Sequence, residues 1–254
     1  VQGLTEFLPV SSSGHLVLAQ ALMGIDLPGV TFEVTVHVAT LCAVCWVYRA
    51  SLWRLARGAL SGDRPSLVYV ALLALATVPA AVVGVGLGDV LEPAFERPVA
   101  AAGFLIVTGF LVWSIKIFAP RARRPRPGTP AALGIGAAQA VAILPGISRS
   151  GSTVAVGTAL GIEAGRAAEF SFLLSIPAIA GAAVLQVPEL GATGTAVGAL
   201  PLSVAFVTAA VSGVVAIRIF LRMLERRTFH RFAYYCWGVG AAYLAAAAAW
   251  PALR

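Results

Sequence analysis

The sequence predicts an all-α polytopic membrane protein, an inverted-topology repeat with two re-entrant helical hairpins and six transmembrane helices. Three observations predict it. Hydrophobic residues make up 59% of the chain and charged ones only 11%, against roughly 45–50% and 25% in a soluble domain, so the bilayer is its solvent. Apolar runs near spanning length recur from end to end. The chain also repeats itself: laying Gln2 on Gln139 places Ser11-Ser12-Ser13-Gly14 on Ser148-Arg149-Ser150-Gly151 and His15 on Ser152.

Taken in order, the apolar stretches differ in kind. Gln2 to Leu22 is broken at its centre by Pro, Gly and Ser, the pattern of a hairpin that enters the bilayer and turns back. Thr31 to Tyr48, Ser66 to Leu87 and Val99 to Phe118 follow as uninterrupted spans. Pro130 to Leu160 is a second broken stretch, and Ala168 to Val187, Leu200 to Leu221 and Phe232 to Trp250 are three more spans. The chain is thus one membrane domain, 1–254. Repeat one covers 1–118 with its hairpin at 1–22, and repeat two covers 130–254 with its hairpin at 130–160. An odd number of spans per half sets the second copy upside down, so the two tips should meet near the midplane, where such repeats place their site.

Charge supplies the sidedness. Arg49, Arg54, Arg57 and Arg64 mark one loop as cytoplasmic, Lys116, Arg121, Arg123, Arg124 and Arg126 a second, and Arg222, Arg226, Arg227 and Arg231 a third, because short cytoplasmic loops accumulate Lys and Arg. The segments 26–29, 89–97 and 188–194 then lie outside, and they carry Asp26, Asp89, Glu92, Glu96 and Glu189 against the lone Arg97. The net charge of +7 and pI near 10 therefore reflect topology rather than nucleic-acid binding. Cys42, Cys45 and Cys236 make neither a disulfide framework nor a zinc site and read as packing thiols. The chain opens at Val1 inside a motif, so preceding sequence completing the first hairpin is expected.

The chemistry concentrates at the two breaks. In the first, Gln2 and Glu6 share a helix face that ends at Pro9; Ser11, Ser12 and Ser13 follow, able to cap the next helix at a site that favours anions. His15 lies three residues after Ser12 and four after Ser11, so either hydroxyl is placed to be a nucleophile with His15 as its base. Close packing by small residues is the plain alternative for the serines, but intramembrane charge is costly and functional by default. The second break adds Arg149 between Ser148 and Ser150, with Thr153 beyond. A guanidinium fork suits phosphate oxygens, and an ion pair with Glu6 is the competing role. Together these groups fit phosphoryl transfer on an anionic headgroup with an apolar tail. Glu6, with Gln2 beside it, has the ligand type for a divalent cation bridging diphosphate oxygens. Glu33 and His37 begin a span, with Glu169 at the corresponding place, and read as interface or helix-pair residues. His230 reads as a solvated loop residue, and Trp and Tyr near span ends as interfacial anchors.

Three motifs carry a family resemblance: Gln2-x-x-x-Glu6 running into Phe7-Leu8-Pro9-Val10-Ser11-Ser12-Ser13-Gly14-His15, the stretch Pro145-Gly146-Ile147-Ser148-Arg149-Ser150-Gly151-Ser152-Thr153, and Glu169-Phe170-Ser171-Phe172-Leu173-Leu174-Ser175-Ile176-Pro177. Over essentially its whole length the chain resembles the undecaprenyl-diphosphate phosphatases of the bacitracin-resistance type. The resemblance implies a multi-pass enzyme of the bacterial cytoplasmic membrane, its site facing outward, that hydrolyses undecaprenyl diphosphate to the monophosphate, recycles the carrier for peptidoglycan synthesis and confers bacitracin resistance. It implies Mg²⁺ or Ca²⁺ as cofactor. It also makes Ser12 the favoured nucleophile, His15 its base, Arg149 the phosphate clamp, and Glu6, Ser11, Ser13, Ser148, Ser150 and Thr153 supporting ligands. Gln2 stands where the family's first acidic position lies, which weakens a metal role there. The expected partners are a polyprenyl diphosphate and membrane lipids, with a homodimer left open. The rival reading is a lipid-phosphate transporter or flippase, which needs the anion clamp but no activated nucleophile.

Overall fold

The computed structural model describes residues 1–24, 30–192 and 198–250. Each half opens on a broken pair of helices. In the first half these are α1 (Gln2–Thr5) and α2 (Ser12–Met23). Between them Pro9 cannot supply the amide an unbroken helix needs, and Ser11 turns the chain with a positive φ of 61°. Then come α3 (Val30–Val47), α4 (Arg49–Leu60), α5 (Arg64–Gly86), α6 (Gly88–Phe95) and α7 (Pro98–Phe118). The second half repeats the order: the broken pair α8 (Thr129–Val141) and α9 (Arg149–Ala159), then α10 (Ala164–Ala192), α11 (Ala199–Glu225) and α12 (Arg231–Ala249). Its break carries Pro145 and Gly146, the latter at φ 96°, a left-handed conformation that glycine adopts without strain. Among the described residues no strand forms; Arg124 and Ile162 make an isolated bridge.

The chain is membrane-embedded: among the described residues five helices, α5, α7, α10, α11 and α12, are long and apolar enough to cross a bilayer, and α3 and α4 meet the same test as a pair bent by 75°. Large apolar side chains stay on the outside of these helices, among them Val78, Val82 and Val85 on α5 and Val204, Val207 and Val211 on α11. In water such surfaces would be a liability; in lipid they are the ordinary exterior.

Packing exchanges partners between the halves. α1 lies on α11 and α8 lies on α5, while α3 packs against α10 and α7 against α12. Small residues permit the closest approaches: a Cβ on Gly3 would meet the Ala209 carbonyl at 2.3 Å, and one on Gly136 would meet the Ala76 carbonyl at 2.4 Å. Beneath the first tip an aromatic chain fills the core, with Phe7 5.8 Å from Phe172, Phe172 4.9 Å from Phe220, and Phe220 4.6 Å from Phe229 between ring centroids. Against these rings α1 is held, and with it the residues of the site.

Three sequence expectations need correction. The stretch from Arg49 to Leu60, expected as a basic loop, is the helix α4, because its arginines and its Leu and Trp residues alternate at helical spacing and form an amphipathic surface helix. The expected outer segment 89–97 contains α6 despite Pro93. His230 is not a freely solvated loop residue: it caps α12, is half-buried, and its Nδ1 is shielded without a partner. Of the expected outer segments, 26–29 and the end of 188–194 lie outside the described residues. The three cysteines are free, and buried Cys236 donates to the Pro9 carbonyl at 3.5 Å.

Candidate active site

The two tips are built alike and are tied directly to one another. Ser11 caps α2, its hydroxyl accepting from the Gly14 amide at 3.2 Å; Ser148 caps α9, accepting from the Gly151 amide at 3.1 Å. Each cap also lies near the hydroxyl two residues on, Ser13 at 3.4 Å and Ser150 at 3.3 Å. Ser11 Oγ additionally accepts from the Gly146 amide at 3.1 Å, and Ser150 donates to the Leu8 carbonyl at 3.4 Å. A Cβ on Gly14 would stand 2.7 Å from Gly146 Cα, so the tips touch backbone to backbone. Thr108 of α7 completes the junction, donating to the Gly146 carbonyl at 2.7 Å and accepting from the Ser148 amide at 2.9 Å. Irregular backbone is tolerated among apolar helices only when its polar groups are satisfied in this way.

Glu6 is the node of the site. Ser12 and Arg149 occupy matching positions of the two half-repeats, and both reach it. Ser12 Oγ donates to Glu6 Oε2 at 2.7 Å, and one terminal nitrogen of Arg149 donates to Glu6 Oε1 at 3.0 Å. Gln2 Nε2 adds a third donor to Oε2 at 3.1 Å. The ion-paired side chains retain only 13% (Arg149) and 10% (Glu6) exposure, so each charge depends on the other. The second terminal nitrogen of Arg149 is shielded and has no partner among the described residues. A buried guanidinium N–H without an acceptor is costly, and it leaves one arm of the fork free for an anion. The arrangement can therefore take a proton from Ser12 and offer a donor to a phosphate oxygen beside it.

His15 is not brought to a serine hydroxyl. Its Nδ1 meets the Ser11 carbonyl at 2.9 Å and its Nε2 the Tyr235 hydroxyl at 2.8 Å. In the neutral ring the carbonyl requires the proton on Nδ1, leaving Nε2 to accept from Tyr235. The helical spacing of Ser12 and His15 is as expected, but the Ser12 side chain points back toward Glu6, the direction Cβ takes on a helix, and Ser11 is turned inward by its positive φ. The contact expected between His15 and a nucleophile is absent in this arrangement, and Glu6 stands in that place. Thr153 faces away from the node: it donates to its own helix at the Arg149 carbonyl, 2.7 Å, and lies 2.6 Å from Ser171 Oγ, which anchors α9 on α10.

Sequence reasoning missed three participants. His37 lies 3.4 Å from Gln2 Nε2 while its Nδ1 donates to the Glu33 carbonyl at 2.8 Å, so it orients the Gln2 amide toward Glu6. Tyr235 falls among the Tyr residues near span ends that the sequence marks only as interfacial anchors, and Thr108 sits in a span with nothing in the sequence to mark it. Ser171, by contrast, lies in the third motif, Glu169 to Pro177. Glu169 belongs to a different neighbourhood, pairing with Arg166 at 3.1 Å and accepting from Ser51 at 3.0 Å.

A divalent cation would find oxygen donors here. Glu6 supplies a carboxylate and Gln2 a carboxamide oxygen that is buried and lacks a partner, an orphan acceptor consistent with a hard cation. Among the described residues no group of three His, Cys, Asp or Glu gathers around a point, so phosphate oxygens and water would complete the coordination, as Mg²⁺ sites commonly allow.

Comparison with known proteins places the chain in a family. The family described as bacitracin resistance protein BacA matches residues 1–242. Undecaprenyl-diphosphatase of Desulfatibacillum aliphaticivorans is 38% identical over 263 aligned positions, covering 97% of this chain and 95% of that protein. The protein of the same name from Rubrobacter xylanophilus is 42% identical, covering 95% of this chain and 93% of its own; that of Methanobrevibacter smithii is 39% identical, at 94% and 92%. With the family model matching residues 1–242 and relatives 38–42% identical over nearly their whole length, this chain belongs to the bacitracin resistance protein BacA family.

Proposed function

We propose that this chain hydrolyses undecaprenyl diphosphate to undecaprenyl phosphate and inorganic phosphate, recycling the carrier lipid and conferring bacitracin resistance, in the bacterial cytoplasmic membrane. The observation that carries the reading is the junction at Glu6, where a serine hydroxyl, a carboxylate and a half-free guanidinium converge from two intramembrane tips. The two halves are inverted-topology repeats, and the site opens to the outer face, opposite the arginine-rich helix ends.

Binding places the terminal phosphate against the free arm of Arg149, which donates to its oxygens. Ser12 Oγ attacks phosphorus as its proton passes to Glu6. A Ser12 oxygen–phosphorus bond forms, the bond to the bridging oxygen breaks, and its electron pair leaves on undecaprenyl phosphate. Water then attacks the phosphoserine; the phosphorus bond to the Ser12 oxygen breaks as Glu6 returns its proton to that oxygen, the Glu6 carboxylate so regenerated takes the proton of the attacking water, and inorganic phosphate departs. Ser11, Ser13, Ser148 and Ser150 hold the tips in register. His15, fixed between the Ser11 carbonyl and Tyr235, lies at the start of α2 as a positioning group. Glu6 and Gln2 would hold Mg²⁺ or Ca²⁺, which when bound neutralises diphosphate charge.

The test is phosphate release from undecaprenyl diphosphate by purified protein in detergent. Ser12→Ala and Glu6→Gln are each expected to lower kcat by roughly 10²–10⁴-fold, the range general-base loss produces, while His15→Gln retains more activity than either. Turnover by Glu6→Gln equal to the parent would overturn the assignment of the base. No release by the folded parent protein would move the reading to a lipid-phosphate carrier, which the repeat architecture also suits.

A further inference from the structure

A polar cavity lies away from the tips, among the arginine-rich helix ends. Its volume is about 430 Å³, within the size range of small-ligand sites. Four segments wall it. Ser51 and Arg54 come from α4; Asp63, Ser66 and Tyr69 from the turn into α5 and its first turns; Arg126 from the segment before α8; and Arg166 and Glu169 from α10. None of these residues takes part in the network at Glu6.

The walls are held in place by backbone bonds. α4 folds over at a 75° bend after α3, and Asp63 caps α5 by accepting from the Ser66 amide at 3.0 Å and its hydroxyl at 2.6 Å. The segment carrying Arg126 is pinned to the turn before α10: the Arg123 and Arg124 amides donate to the Gly161 carbonyl at 3.0 and 2.9 Å, and the Glu163 amide donates to the Arg124 carbonyl at 3.0 Å. The cavity is thus prepared rather than left between mobile loops.

Its charges do not balance locally. Glu169 is matched by Arg166 at 3.1 Å and by Ser51 at 3.0 Å, and Asp63 is spent on its helix cap. Arg54 donates to Ser51 Oγ at 3.0 Å. Neither Arg54 nor Arg126 belongs to an ion pair among the described residues. Two guanidinium groups without carboxylate partners among the described residues, facing one cavity, make a receptor for a compact dianion, because Arg forks match phosphate oxygens. The outer face of α4 sets the depth. Trp53 is 70% exposed and Leu60 90% exposed, and Arg49 at the start of α4 stands 4.8 Å over the ring of Trp46, at the end of α3. Apolar and aromatic residues beside arginines on one short helix are the marks of a helix lying at the headgroup level.

We infer that this cavity binds a phosphate group at the bilayer surface, that of an anionic lipid headgroup or of free phosphate, through Arg54 and Arg126. The inference does not depend on the hydrolytic reading of the tips. Each arginine contributes charge-assisted hydrogen bonds, so removing one should weaken binding roughly tenfold or more.

The test uses purified full-length protein in a neutral detergent, titrated with short-chain phosphatidic acid and separately with inorganic phosphate, bound ligand being counted by native mass spectrometry. Arg54→Gln, Arg126→Gln and the double variant are compared with Arg57→Gln, which alters a neighbouring helix position outside the cavity. The expected result is one phosphatidic acid fewer on the double variant, each single variant at least tenfold weaker at that site, and Arg57→Gln like the parent. Size-exclusion profiles and phosphatase activity serve as folding controls. If inorganic phosphate binds as tightly as phosphatidic acid, the site reads phosphate alone; if only the lipid binds, it reads the headgroup in its membrane setting. Equal binding by parent and double variant, or equal losses in Arg57→Gln and the cavity variants, would overturn the inference.

Discussion

Arg149→Lys separates the two tasks the structure assigns to one side chain. One arm of the guanidinium holds Glu6 at 3.0 Å, and the other is buried without a partner. Lysine keeps the charge and can keep the ion pair, but its ammonium is a point donor and cannot serve Glu6 and a phosphate in parallel. The lost arm corresponds to one charge-assisted hydrogen bond, about 1.5–3 kcal/mol, or roughly ten- to 150-fold in kcat/KM at 1.4 kcal/mol per decade. Arg149→Ala removes both arms and leaves the Glu6 carboxylate buried and unpaired, which costs about 3–5 kcal/mol of stability. The assay is phosphate release from undecaprenyl diphosphate alongside a thermal unfolding curve in detergent. The lysine variant should lose turnover at a nearly unchanged Tm, and the alanine variant should lose both. Parental kcat/KM in Arg149→Lys, or an activity loss matched by a Tm drop as large as that of the alanine variant, refutes a free arm that binds phosphate.

Other predictions follow from the junction of the tips. Thr108→Val keeps the shape but strands the Gly146 carbonyl and the Ser148 amide, at about 1–3 kcal/mol for each orphaned group; a lowered Tm together with lost activity is expected. Gly14→Ala places a methyl 2.7 Å from Gly146 Cα, backbone that cannot step aside, so the tips must part at a cost of about 1–3 kcal/mol, and phosphate release should fall even where the protein remains folded. Gln2→Glu adds a second carboxylate beside Glu6; the divalent-cation concentration giving half-maximal activity should drop, and that of Gln2→Ala should rise. Activity indifferent to chelator in all three proteins would dismiss the cation from the site.

The sequence carried the spans because a membrane helix is written in composition and length, with no need of a partner. It also carried the two breaks, since Pro9, Pro145 and Gly146 act through their own backbones, and the charged residues at those breaks, since Glu6 and Arg149 have no cheap place among apolar neighbours. Helix α4 was legible in principle, its Leu, Trp and Arg residues falling at helical spacing, but its charge masked that period as a loop.

Which hydroxyl meets which base was not written in the chain. The spacing of Ser12 and His15 allowed a contact that the side-chain directions do not make; the caps at Ser11 and Ser148 turn the tips so that Ser12 and Arg149, equivalent positions of the two halves, close on the two oxygens of Glu6. Tyr235, His37 and Thr108 entered the site from helices remote in sequence, each through a hydrogen bond that no periodicity announces. Composition and local backbone rules determined that this chain lies in a bilayer with two broken, charged tips. Only tertiary packing decided the partners, within the first half for Ser12, Gln2 and His37 and between the halves for Arg149, Thr108 and Tyr235, because a hydrogen bond depends on distances of a few ångströms that long-range contacts set.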